Sequence, residues 1–187
     1  YIANSTIRFM PIISAHGPQA AHIHVMKGEV KPGLKRAPKS AWRWKEGKTL
    51  AFLIDFLDGA NEVDYRIYYQ DATTPDTLGF PPVLPEAEQH VIDLAVVCVG
   101  SAQVLDEYPT LFMERYQPRH VMLAHWENFF RSPVKPTNRL RMTHIDRFID
   151  EVRAASPATG HTLPKPGAWY RYYAANKNGV TDQPITP

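Results

Sequence analysis

A single cysteine, Cys98, stands among 187 residues, so no internal disulfide can staple this chain. Its stability must come from an apolar core. No apolar run approaches the ~20 residues that a membrane-spanning helix needs. The Gly-rich phosphate loops of P-loop and dinucleotide-binding proteins are missing, and no G-x-S-x-G marks a serine nucleophile. Residue order suggests no Ser-His-Asp or Cys-His arrangement either. Charge is nearly balanced, 21 basic against 19 acidic residues, and the net +2 is too weak to argue for nucleic acid. No repeat, low-complexity segment or signal peptide is visible. The chain starts at Tyr1 rather than Met, which leaves the compartment open and suggests a piece of a longer protein.

What is present reads as one globular domain. Hydrophobic residues make up 44% and charged residues 21%, and the length suits one core rather than two. Seventeen prolines fall mostly between apolar runs, where they mark loops. Residues 7–13 predict an edge strand interrupted by Pro11. His22–Met26 alternates and predicts a short strand closed by a turn at Lys27-Gly28-Glu29. Residues 31–48 predict a Pro- and Lys-rich surface loop, with Trp42 and Trp44 on one side if it is extended. Thr49–Phe56 and Asp64–Gln70 predict a hairpin, turned at residues 57–63. The near-continuous apolar run 91–99 predicts a strand buried on both faces, with Cys98 in the core. Arg119–Ala124 is the next strand.

Two helices are expected. One spans Glu107–Tyr116 and stops at Gln117-Pro118. The other is capped by Thr143 and carries Ile145, Phe148, Ile149 and Val152 on one face to about Ala155. Trp169–Tyr173 predicts a terminal strand, followed by a tail from about residue 176. The fold class is α/β, a mixed β-sheet with flanking helices.

Three of the strands end on residues suited to a site. Asp71 follows one, Gly100 and Ser101 another, and His125 a third; His16 follows the first edge strand. A lone ligand-type residue at the exit of a buried strand is how α/β proteins mount sites on rigid supports. The strings YYQDA, DLAVVCVG and RHVMLAHWENFF resemble the later motifs of metallo-β-lactamase-fold hydrolases, over roughly Phe9 to Phe148. The family's HxHxDH string is missing.

The resemblance implies that the domain, residues 1–187, is the C-terminal portion of such a fold, half of an αββα sandwich. It implies that Asp71 bridges two metal ions and that His125 and His16 each hold one. In that picture Gln70, Glu127 and Asn128 support the ligands, and Trp126 and Tyr69 line a substrate pocket. Asp93 matches a position that ties down neighbouring backbone. His22 and His24 share a strand face and read as packing or surface residues, as do His120, His144 and His161.

The implied cofactors are two divalent ions, of zinc type, in the intact enzyme. The chain alone is expected to bind at most one and to be inactive. A small-molecule ester or lactone, amide or phosphoester would be the substrate. The expected partner is an N-terminal half of the same fold, or a second chain covering the sheet. The alternative is a non-catalytic α/β binding module without a complete metal site.

Overall fold

The computed structural model describes residues 6–18, 23–75, 77–132, 134–141, 143–172 and 184–185. Six strands form one sheet: β1 (Ile7–Ser14), β2 (Thr49–Leu57), β3 (Val63–Gln70), β4 (Leu94–Cys98), β5 (His120–Ala124) and β6 (Gly160–Thr162). They lie in chain order across it. β1–β2 and β2–β3 pair antiparallel, and the three later pairs are parallel. All strands but β2 therefore run the same way, so their carboxyl ends share one edge. The mixed α/β sheet is the expected class.

Two helices, α1 (Thr110–Tyr116) and α2 (Ile145–Ala155), pack on one face of the sheet. That face presents every second strand residue: Ala51, Leu53, Tyr68, Val97, Val121 and Leu123, all buried. Phe112, Met113, Phe148 and Val152 of the helices meet them. Tyr68 stacks on Phe112 with ring centroids 4.6 Å apart. Cys98, next to Val97 on β4, points to the opposite face; it is buried there, and burial pushes its thiol up to about 12.

The alternate residues form a second face that is also apolar. Phe9 opposes Ile54, Ile13 opposes Leu50, Ile54 opposes Ile67 and Phe52 opposes Tyr69. Near β1 this face is open: Phe9 is 63% and Ile13 78% exposed. A sheet apolar on both faces normally carries a layer on each.

Charge closes the edge where the parallel strands begin. Asp55 accepts hydrogen bonds from Arg8 (Nη2, 2.6 Å) on β1 and Arg66 (Nε, 2.6 Å) on β3. Arg66 also donates to the carbonyls of His90 and Glu88. Asp93 takes the Arg66 backbone N–H at 2.8 Å, the Arg119 guanidinium at 2.6 Å and His90 Nε2 at 2.9 Å. Burial alone would raise the Asp55 carboxyl, but its bonds to Arg66 and Arg8 outweigh it and hold the pKa below the usual value. Asp93 thus ties down strand backbone, at Arg66 of β3, rather than the loop backbone that the resemblance implies.

Several boundaries differ from the sequence reading. His22 lies outside the described residues, and residues 23–26 form a single bridge at Ile23 rather than a strand. Their neighbours close a loop instead, because Glu46 N–H donates to Met26 and Gly47 N–H to Gly28. α1 starts at Thr110, not Glu107, since Tyr108 is drawn into the core and bonds the Cys98 carbonyl at 2.8 Å. Thr143 does not cap α2: its hydroxyl donates backwards to Leu140 (2.6 Å), and His144 holds the cap position. His161 sits in β6, not in a loop. The terminal strand is only β7 (Trp169–Tyr170), paired with β8 (Pro184–Ile185) inside the expected tail. Among the described residues no helix is long and apolar enough to cross a membrane.

Candidate active site

The shared carboxyl edge is where the singled-out residues lie. Asp71 leaves β3 with its side chain 54% exposed, and His125 leaves β5 with 35% exposed. Asp71 Oδ1 and His125 Nδ1 stand 3.9 Å apart. They are separated by 54 positions in the chain. The parallel register of β3, β4 and β5 brings them together.

Backbone geometry aims His125 across the edge. Its φ is +57°, the left-handed region that costs a non-glycine residue roughly 1–3 kcal/mol. Surrounding bonds hold it there. Val99 N–H donates to Ala124, Leu140 N–H donates to Trp126, and Glu127 bridges Arg139. Phe129 packs edge-on against the imidazole at 5.1 Å between centroids. Gly100, ending β4, fits underneath: a Cβ there would lie 2.8 Å from His125 Cδ2. Any side chain at 100 would push the imidazole off its place.

At 3.9 Å the two groups are an ion pair longer than a full hydrogen bond. Asp71 is the main cause of a raised His125 pKa; half-burial opposes it and the charge of Glu127 adds to it. Tyr69, two residues before Asp71 on the same strand face, has its hydroxyl raised by burial first and by the Asp71 charge second. It therefore stands beside Asp71.

The remaining candidates are placed less simply. His16 Nδ1 lies 2.6 Å from the Gly17 carbonyl. A carbonyl only accepts, so Nδ1 is the donor in this bond. The loop carrying it is tied to the residues after Asp71 by Gly17 N–H donating to Thr73 at 2.6 Å. A Cβ on Gly17 would stand 2.5 Å from Thr73 Oγ1, so only glycine permits that approach. Yet among the described residues no three His, Cys, Asp or Glu side chains form a group able to hold a metal ion. His16 does not complete one with Asp71 and His125.

Gln70 is 1% exposed and points to the helix side, away from Asp71. Its amide donates to Ser14 Oγ (2.9 Å), and its Oε1 faces the Tyr68 hydroxyl (2.8 Å). It fixes the ends of β1 and β3 relative to each other. Asn128 accepts from Phe130 N–H at 3.2 Å, which shapes the loop rather than the ion pair. Trp126 packs against the core and donates to the Pro164 carbonyl at 3.1 Å, so it anchors the wall behind His125. Thr73 was missed by reading the sequence. Gly100 was singled out at its strand exit, but its close approach to the His125 ring was not foreseen.

A cavity of about 420 Å³ lies elsewhere, lined by Arg66, His90, Tyr116 and residues 81–84. Its cation, Arg66, is already bound to Asp55, so it has little charge to offer a ligand.

Two donors each about 2.0–2.2 Å from one tetrahedral zinc ion lie about 3.3–3.6 Å apart. The Asp71–His125 gap of 3.9 Å is wider than that, and two side chains do not close a metal site. No family model, curated protein or solved structure matches the chain.

Proposed function

We propose that this chain is one layer of a metal-dependent hydrolase of the metallo-β-lactamase fold, half of its αββα sandwich. Asp71 and His125 are two of the ligands in this reading. The observation that carries it is the approach of Asp71 Oδ1 to His125 Nδ1, 3.9 Å apart at the carboxyl edge. The open apolar face, with Phe9 and Ile13 exposed, gives the other layer a place to pack. That layer would carry the remaining ligands, and the intact enzyme would hold two divalent ions of zinc type. Its substrate would be a small ester or lactone, amide or phosphoester. The chain alone would be inactive.

The test is metal analysis by plasma mass spectrometry after zinc loading and dialysis. The chain should retain less than one equivalent, and Asp71→Ala or His125→Ala should remove it. Retention of two equivalents would overturn the incomplete site. Retention unchanged in both variants would overturn the ligand assignment. The open face also favours a second reading, a non-catalytic module that binds a partner through it. That reading takes over if a layer packed on this face adds no metal and no turnover.

A further inference from the structure

The loop joining β1 to β2 concentrates positive charge against the balance of the rest of the chain. Residues 27–48 hold eight Lys and Arg against Glu29 and Glu46, a local +6. The net of +2 leaves −4 for everything else. The two backbone bonds from Glu46 and Gly47 to Met26 and Gly28 pinch the loop at its base, so these cations project as one unit. Within it lies a hollow of about 990 Å³, lined by Lys31, Arg36, Lys39, Arg43 and Lys45, with Trp42 in its wall.

Two further features separate this hollow from an ordinary solvated face. Among the described residues none of those five cations has an ion-pair partner, in contrast to Arg8, Arg66 and Arg119. Trp42, carried on a single helical turn (Ala41–Arg43), is 74% exposed. Leu34 in the same wall is 54% exposed. Trp44, 47% exposed, lies outside the wall, because the turn at 41–43 breaks the extended path that would have aligned the two rings.

We propose that this loop binds single-stranded nucleic acid, with phosphates on the lysines and arginines and an unstacked base on Trp42. Unpaired cations along a groove attract a phosphate backbone, and an exposed indole offers a platform to any base face. A duplex hides its base faces and would leave Trp42 unused. The proposal is independent of the metal-site reading, since it uses none of its residues.

The experiment is fluorescence anisotropy with labelled 20-nucleotide oligothymidylate and oligouridylate, at rising salt. Binding should weaken with a log–log salt slope of about −2 to −3.5, the value for three to five phosphates neutralised on a single strand. Trp42→Ala should weaken binding by about 5- to 150-fold. Trp169→Ala, which removes a ring that is 75% exposed elsewhere, should leave it unchanged. Asp71→Ala should also leave it unchanged, which keeps this test separate from the metal assignment. Circular dichroism establishes that the variants fold. The proposal is overturned by no binding at 50 mM salt, by equal binding of Trp42→Ala, or by tighter binding to a duplex of equal length. Binding to phosphatidylserine vesicles in place of the oligonucleotides would overturn it as well.

Discussion

Where the parallel strands begin, buried charges are matched bond for bond; where they end, two ionisable groups face each other half-exposed and 3.9 Å apart. Asp55 and Arg66 are both 3% exposed and meet at 2.6 Å, and Asp93 takes a backbone N–H, a guanidinium and an imidazole. Nothing in that network is left over to react. At the other edge His125 keeps a left-handed backbone, and Asp71 stays accessible. The difference teaches which edge is built for holding the sheet and which is free to take a ligand. Groups at a site are commonly left under-bonded and locally strained, with the rest of the fold holding them so.

The largest expected effect tests the closed edge. Asp55→Ala leaves the buried Arg66 guanidinium without its carboxylate and should cost about 3–5 kcal/mol in denaturant unfolding. Asp71→Ala, at an exposed position, should stay within about 0.5 kcal/mol. Similar losses from the two would erase the contrast between the edges. The same network sets the acid limit. Asp55 has a lowered folded pKa, so its contribution is present above the ordinary value of 3.8 and is lost as pH falls through the folded one. Unfolding midpoints measured down the acid limb should show that loss.

A smaller effect probes strain at the open edge. His125→Gly adopts φ +57° freely, whereas His125→Ala does not. The glycine variant should be about 1 kcal/mol more stable than the alanine variant, as compared by thermal unfolding. An alanine variant equal to the glycine one would mean that residue 125 leaves the left-handed region without cost.

The smallest effect concerns protons. His125 has a raised folded pKa, so the Asp71 interaction stabilises fully below the ordinary histidine value of 6.5 and is lost as pH rises through the folded pKa. Half-exposed, this pair contributes only a few tenths of a kcal/mol. The sharper readout is the imidazole titration by NMR, which Asp71→Asn should move down. An unchanged curve would show that Asp71 does not act on His125.

Much of the sheet was legible from local pattern. β2, β3 and β4 announce themselves through short runs dominated by apolar and aromatic residues. Asp71 and His125 stood out because each is a ligand-type residue at the exit of such a run. The charge network was not legible. Arg8, Asp55 and Arg66 sit at mid-strand in runs that read as apolar, and only cross-strand register lines them up. Gln70 was misread for a related reason, since a residue beside Asp71 in sequence points to the opposite face of the strand. The loop at residues 27–48 was read by its average charge, and its hollow depends on a closure between residues 26–28 and 46–47.

The sequence by itself determined the strands, the two apolar faces and the residue type at each strand exit, because these depend on side-chain period and near-neighbour chemistry. Tertiary structure alone decided that Asp71 meets His125, that His125 adopts φ +57°, and that Gly17 docks on Thr73. Those outcomes depend on strand order, parallel register and loop-to-loop bonds between residues far apart in the chain. The free energy that selects them is shared by the whole packed sheet, so no stretch of the sequence carries it alone.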